Sequence, residues 1–338
     1  MSMATALHEL AQAQDLDGPV MEAAMSEIMD GVVSQIQIAG FLMALAAKGE
    51  TVTEIAAAAR VMRRYAIPVP VSGEHVLDTC GTGGDGASTF NISTAVAFVA
   101  AEGGARVAKH GNRSVSSRSG SADVLECAGL NLQLDANQVK LCIEQHGVGF
   151  LFAPAHHQAT RHAVPVRREL GVRTLFNLLG PLTNPAAAPH QLLGVFHPRW
   201  LRPVAETLAA LGSRHVLVVH AEDGLDEISL AAPTQVCELH NGDIREYAIR
   251  PEDFDIASQS LTGLAVSEPR ESLAMIEQAL QGKAGPARDI VALNAGAALY
   301  AADCSEDLAA GVKRASEILD SGAAWQRWQA LIDLSQKL

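Results

Sequence analysis

Apolar positions recur at helical spacing through residues 1–70. Asp17 is placed to cap a helix whose apolar face runs through Met21, Met25, Ile28 and Val32. Ser34 can cap a second, with Ile38, Phe41, Leu42 and Leu45 inward and a stop at Gly49. Thr51-Val-Thr-Glu54 is a capping box opening a third, through Ile55, Ala59 and Met62. Pro68 and Pro70 cannot continue a helix, so 67–73 reads as a linker between domains.

From Val76 the pattern changes to short apolar runs alternating with helical ones. Strands are expected at 76–79, 105–109, 148–152, 191–196 and 215–220, and helices at 93–102, from Ser121, and at 135–146. Such alternation builds a mainly parallel sheet with helices on its faces. The stretch 156–185 is helical again and is expected to pack back onto the first helices. The runs 235–239 and 244–249 flank Asn241-Gly242, a hairpin signal. Helices fill the remainder, with Ser267 and Ser305 as caps. The domains expected are therefore 1–70, with 156–185 packed on it, and an α/β unit formed by 74–155 and 186–338.

Composition sharpens this picture at three points. Hydrophobic residues make up 48% of the 338, enough for a substantial core. With 25 basic and 38 acidic residues the net charge is −13, which disfavours general nucleic-acid binding; a polyanion would need a local basic patch or metal ions. The five widely spaced cysteines suggest neither a disulfide framework nor a zinc site. With no membrane span or signal peptide evident, a cytoplasmic setting is expected.

Three segments carry candidate chemistry. Gly81-Thr82-Gly83-Gly84-Asp85-Gly86 follows a strand and shortly precedes a helix, where amides and a helix terminus can receive a phosphate. A dinucleotide fold would want an acidic residue about 20 positions on; the chain there reads Arg106-Val-Ala-Lys109-His110. The stretch 106–118 holds four basic residues and no acidic one, and its end is dense in serine, as an anion-binding loop is. Gly224-Leu-Asp226-Glu227 follows the strand at 215–220 and offers paired carboxylates suited to Mg²⁺. All three should open on the carboxyl edge of one sheet, where open α/β folds bind ligands. His156, His157 and His162 share one expected helix without a zinc motif, and Met21, Met25 and Met29 read as core or dimer contact.

Gly81–Asp85, Asn91-Ile-Ser93-Thr94, Lys109-His-Gly-Asn112-Arg113, Val166-Arg167-Arg168-Glu-Leu-Gly171, Asn177–Pro185 and Asp226-Glu227 together resemble the anthranilate phosphoribosyltransferase family over essentially the whole chain. The resemblance implies the nucleoside phosphorylase/phosphoribosyltransferase type fold and a homodimer formed through the helical domain. It implies that Gly81, Thr82, Gly83, Gly84, Asp85, Thr89, Asn91, Ser93, Thr94, Lys109 and Ser121 hold phosphoribosyl pyrophosphate. By the same likeness Gly81, His110, Asn112, Arg167 and Gly180 hold anthranilate, with Arg167 on its carboxylate, and Ser93, Asp226 and Glu227 serve Mg²⁺. Two other readings stay open. One is pyrimidine nucleoside phosphorylase, although its Lys-x-Gly-Gly-Arg type loop differs where Asn112 stands for the second glycine. The other is a non-catalytic relative that binds nucleic acid.

Overall fold

Residues 2–114 and 118–338 are described by a computed structural model of the chain. Val115, Ser116 and Ser117, part of the expected anion-binding loop, lie outside the described residues.

Four helices come first: α1 (Met3–Leu10), α2 (Gly18–Asp30), α3 (Gln35–Lys48) and α4 (Val52–Tyr65). Asp17 caps α2 by accepting the Val20 N–H, and Ser34 and Thr51 each close a reciprocal capping box, with Gln37 and Glu54. Met21, Met25, Ile28, Ile38, Phe41, Leu42 and Leu45 are fully buried, as their spacing predicts. Val32 is not; it is 72% exposed, because Gly31 ends α2 in the left-handed region (φ 71°) and takes the chain off the helical register first. Glu54 ties the bundle together from a fully buried position. Its carboxylate accepts the N–H groups of Leu16 (2.9 Å) and Thr51 (2.8 Å) and the Lys48 ammonium (3.0 Å), which also reaches Asp15 (2.7 Å).

After the linker come β1 (Val76–Gly81), α5 (Ile92–Glu102), β2 (Arg106–Gly111), α6 (Ser121–Cys127), α7 (Ala136–His146) and β3 (Val148–Phe152). The helical interruption consists of α8 (Ala153–His156), α9 (Val164–Leu170) and α10 (Phe176–Leu182). Then follow β4 (His190–Gly194), α11 (Leu201–Ala210), β5 (His215–Ala221), β6 (Thr234–His240), β7 (Asp243–Ile249), α12 (Pro269–Leu280), α13 (Pro286–Ala301), α14 (Leu308–Ser321) and α15 (Ala323–Ser335). Three corrections arise. His156, His157 and His162 do not share a helix: the chain breaks at His157 (φ −113°, ψ 52°) and resumes as a 3-10 turn, while His156 is held by the Ile67 carbonyl of the linker. Ser267 caps nothing, since Pro269 opens α12 and Glu268 takes the cap position. Asp307, two residues nearer the helix than Ser305, caps α14 through the Ala310 N–H.

The seven strands form one sheet in the order β3-β2-β1-β4-β5-β6-β7. The first five in that order are parallel, and β6 and β7 add an antiparallel edge. Asn241 and Gly242, both with positive φ, make the β6–β7 hairpin. Successive strand residues go to opposite faces. Val216 and Val218 join the core shared with α1–α4, α9, α10 and α11, whereas Leu217 and Val219 join the core beneath α5 and α13. The interrupting segment 156–185 thus packs into the bundle core through Val166, Phe176, Leu178 and Leu179. Arg63 of α4 reinforces the join by donating to the Leu182 carbonyl of α10 (2.8 Å).

Replacing Glu54 by Ala takes the acceptor from the buried Leu16 amide and the part-buried Thr51 amide, and leaves Lys48 with Asp15 and the Gly49 carbonyl alone. The chain is expected to lose about 3 kcal/mol of stability, read as a lower urea midpoint at unchanged slope.

Candidate functional site

In sequence β1 leads to β2 and β3 on one side, and the chain then crosses to β4 and β5 on the other. The order therefore reverses between β1 and β4, and a crevice opens above their carboxyl ends. Gly81 and Gly194 end these two strands and pair across them. Both must be glycine for one reason, the close approach of the Asp226 segment. A Cβ on Gly194 would lie 1.5 Å from the Asp226 carbonyl oxygen, and one on Gly81 would lie 2.6 Å from Asp226 Oδ2. The loop after β5 can thus lie directly on the strand ends and deliver its carboxylates to the switch point.

Asp226 Oδ2 accepts the Gly83 N–H at 2.8 Å, and the Thr82 N–H is bonded to the Gly194 carbonyl. Two amides of the glycine turn are thereby used within the protein. Gly83, Gly84 and Gly86 all have positive φ, and at Gly83 and Gly86 an added Cβ would meet nothing within 4 Å. The turn is open on its outer side. Arg173, which the sequence reading did not single out, reaches across from the loop after α9 to the Gly84 carbonyl while lying over the Phe196 ring at 4.2 Å. Within the turn, Asp85 lies beside Asp226. Burial, then the Asp85 charge, push the Asp226 carboxyl up to about 7. Burial, then Asp226, push Glu227 up to about 8, against the opposing pull of Lys109 and the Ser93 N–H.

Lys109 is the cation that answers this cluster. It is buried on β2, its ammonium donating to the Thr79 carbonyl and to Ser93 Oγ (3.2 Å). The rest of the expected basic patch is not assembled here. Arg106 begins β2 at the far end of the strand and donates to the Ser72 carbonyl. Arg113 is paired with Asp123 (3.2 Å) and Glu126 (2.7 Å). Arg118 shares a surface groove with those acids and Arg270. A charge count along the chain sees the cations and not the carboxylates that α6 brings back to them.

At the start of α5, Asn91 is fixed by Ser119 (2.8 Å) and Ser272 (2.7 Å), and Thr94 carries a fully buried hydroxyl with no hydrogen-bond partner among the described residues. Thr89 forms an isolated bridge with Ala265. Ser121 donates to the Asn112 carbonyl (3.3 Å), linking the start of α6 to the end of β2.

Strand alternation turns His110 away from the Lys109 side. Its N–H donates to Asp78 Oδ1 (3.1 Å) and its Nδ1 lies 3.2 Å from the Gly180 carbonyl on α10. The His157 ring is 5.1 Å away. At Gly180 a Cβ would meet nothing within 4 Å. Arg167, half-buried on α9, lies over Phe176 at 5.1 Å. Burial alone lowers its pKa, and among the described residues no carboxylate is paired with it. Two groups of residues thus meet at this edge: an acidic one with Lys109 and the glycine turn, and a second in which His110 bonds Gly180, with Arg167 on neighbouring α9 lying over Phe176 of the Gly180 helix.

A further group, His215, Glu238 and His240, brings possible metal-binding atoms together. Glu238 is already occupied by Arg245, Tyr247 and Tyr300, and the two imidazoles stack face to face at 4.2 Å. It is a structural network.

Compared with known families, this helical bundle joined to a mostly parallel sheet is that of a glycosyltransferase. Accordingly, the model described as glycosyl transferase family, helical bundle domain, matches residues 4–66, and that described as glycosyl transferase family, a/b domain, matches 73–325. The anthranilate phosphoribosyltransferase of Thioalkalivibrio sulfidiphilus (strain HL-EbGR7) is 58% identical over 335 residues, covering 99% of each chain. The crystal structure of the Thermus thermophilus enzyme of that name is 45% identical, with TM-score 0.93 over 98% of this chain and 99% of that one. Saccharomyces cerevisiae anthranilate phosphoribosyltransferase in complex with PRPP and Mg is 26% identical, with TM-score 0.90 over 99% and 98%. In complex with 4-fluoroanthranilate it is 25% identical, with TM-score 0.88 over 100% and 99%. The chain belongs to the anthranilate phosphoribosyltransferase family.

Folding holds protons on Asp226 and Glu227 that the unfolded chain releases near its ordinary carboxylate pKa. Metal-free protein is therefore expected to lose stability as pH rises from about 4 through the folded values near 7 and 8, and to level off above them. The Asp226→Asn, Glu227→Gln double variant should lack this part of the slope; parallel melting-temperature profiles for the two proteins would show the carboxylates are not coupled to folding.

Proposed function

We propose that the chain transfers the phosphoribosyl group of phosphoribosyl pyrophosphate to the amine of anthranilate, giving N-(5-phosphoribosyl)anthranilate and pyrophosphate in tryptophan biosynthesis. The observation that carries this is that the glycine turn with Asp85, Asp226, Glu227 and Lys109 meets His110 and Gly180 at one sheet edge, which suits a polyanion with metal ions on one side and a small acid on the other. Full-length likeness to enzymes of that name supports it and favours neither nucleoside phosphorolysis nor nucleic-acid binding.

The donor brings a 5-phosphate and a pyrophosphate. In this reading Gly81 to Asp85, Thr89, Asn91, Ser93, Thr94, Lys109 and Ser121 receive it. The open outer side of the glycine turn, the buried Lys109 ammonium and the unpartnered Thr94 hydroxyl support that assignment. Ser93, Asp226 and Glu227, with Asp85 beside them, suit Mg²⁺. Burial, and then the like charges that converge there, raise the Asp226 and Glu227 carboxyls, and hard oxygen donors in such a set favour a small divalent cation. When bound, Mg²⁺ compensates the charge that develops on the departing pyrophosphate. Lys109, held by the Thr79 carbonyl and Ser93, keeps its ammonium on that same side.

The acceptor takes the other side, with Gly81, His110, Asn112, Arg167 and Gly180 around it. Arg167 supports this as a desolvated guanidinium over an aromatic ring and without a carboxylate of its own, ready to pair with the one on anthranilate. The division of the chain into 1–70 with 156–185, and 74–155 with 186–338, follows the same logic. The bundle side carries the acceptor elements α9 and α10, and the sheet carries the donor elements.

Purified protein with anthranilate, phosphoribosyl pyrophosphate and Mg²⁺ should show donor-dependent loss of anthranilate fluorescence, abolished by chelation. Arg167→Ala should raise the anthranilate KM at least about tenfold, the worth of a charged hydrogen bond, with little change for the donor. An inert wild-type chain defeats the reaction assignment, and equal effects on both KM values remove Arg167 from the acceptor site.

A homodimer through the helical domain completes the proposal. Val32, Ile36, Met43 and Val164 leave apolar side chains exposed on α3, on α9 and on the turn after α2, as a subunit contact does. Ile36→Asp is expected to sediment as a monomer; an unchanged sedimentation coefficient would exclude that face. We place the protein in the cytoplasm, on the free thiols of all five cysteines, and cell fractionation tests it.

A further inference from the structure

We propose that His110 is the catalytic proton acceptor of the transfer, its bare Nε2 receiving the amine proton as the new bond to ribose forms, with His157 holding the other N–H of the amine. The assignment rests on the acceptor site proposed above and goes beyond it by giving one contact residue a chemical step.

The tautomer is fixed by what surrounds the ring. Nδ1 lies 3.2 Å from the Gly180 carbonyl, which can only accept, so Nδ1 carries the hydrogen and Nε2 a lone pair. That Nε2 is fully buried and has no hydrogen-bond partner among the described residues. His157, 5.1 Å away ring to ring, repeats the arrangement: the Thr183 carbonyl engages the ring, and its buried Nε2 likewise has no partner. Two lone pairs left unpartnered in adjacent rings cost free energy unless a ligand with two N–H donors meets them. The primary amine of an arylamine is such a ligand, and Gly180, whose carbonyl holds Nδ1, carries no side chain and would meet nothing within 4 Å if it had a Cβ. Strand alternation supplies the relation to the donor. Lys109 points to the phosphate side of β2 and His110 to the acceptor side, so the bond to be made lies between consecutive residues of one strand.

The chemistry balances. The nitrogen lone pair forms the bond to C1 of ribose while the C1–O bond to pyrophosphate breaks, its electron pair leaving with the oxygen. The nitrogen then bears a positive charge and two hydrogens. One proton passes to His110 Nε2, giving imidazolium and a neutral secondary arylamine, and the imidazolium returns the proton to solvent when the site opens. An arylammonium is a strong acid, so a weak base suffices, but it must be present where water is not. Burial, then the neighbouring His157 and His156, depress His110 well below its ordinary value and keep it unprotonated at neutral pH. The titratable or charged groups around it are Lys109 on its own strand, Asp78 on β1, and His156 and His157 after β3.

His110→Asn tests this, because the asparagine amide can still donate to Gly180 while Nε2 is deleted. With substrates and Mg²⁺ saturating, the single-turnover rate should fall about 100-fold or more, while the donor KM stays within about twofold. The wild-type rate should decline as pH falls through the depressed His110 value, and the wild-type to variant rate ratio should decline with it, since limbs due to Asp226, Glu227 or His157 are common to both. A variant rate within about threefold of wild type, or a ratio flat with pH, overturns the assignment while leaving the reaction intact; an inert wild type overturns the reaction and this step together. Imidazole nitrogen NMR of the wild-type protein is the check that needs no variant. It should find His110 protonated on Nδ1 and bare on Nε2 at neutral pH, and the opposite tautomer would also overturn the proposal.

Discussion

Everything at the site depends on a contact that side chains would forbid: the Asp226 segment lies on the ends of β1 and β4 at Gly81 and Gly194. Because the approach at Gly194 is between backbones, one substitution there would lift the loop after β5. The Asp226 carboxylate would then lose the Gly83 N–H, and the glycine turn would lose its internal anchor. Fold and chemistry meet at this contact, since the crevice at a switch point is a property of strand order, and its depth here is set by two missing methyl groups.

The same approach creates an electrostatic problem. Asp85, Asp226 and Glu227 come together where burial disfavours ionisation, and Lys109 alone of the nearby basic stretch faces them. In a protein of charge −13 the general field does not help. Arg106 and Arg113 serve the structure elsewhere. On the assignment proposed above, this acidic group is incomplete in charge until cations enter it, and it receives a polyanion in company with them. That is a physical reason for linking metal and donor binding in one site.

Most of this architecture was legible in the sequence because it rests on local rules. Capping boxes at Ser34 and Thr51, the Asn241-Gly242 hairpin and the runs of parallel strands are each set within a few residues. What was not legible depends on distant partners. Val32 looked inward by period until Gly31 took the chain out of the helix. Arg113 looked like an anion ligand until α6 brought Asp123 and Glu126 alongside. Arg173, Asp78 and His157 carry no local pattern at all; they matter because of a carbonyl, an amide and a ring supplied by other elements. The family resemblance named residues in both groups, yet it could not show that Gly83 spends its amide on Asp226, or which nitrogen of His110 is free.

On the proposed division of the two substrates, the interruption of the sheet by α8, α9 and α10 gains a role. Donor-side groups stand on strand ends whose positions are fixed by a shared ladder, whereas Arg167 and Gly180 stand on helices whose apolar residues belong to the bundle core. Arg63 clamps that core to the Leu182 carbonyl, two residues beyond Gly180, so bundle packing sets how closely the acceptor side abuts the strands. His110 belongs to the sheet by its backbone and to the acceptor side by its bond to Gly180. On the proposed assignment it spans the seam across which the new bond forms, so a shift of the bundle on the sheet would be felt at its ring through the Gly180 carbonyl.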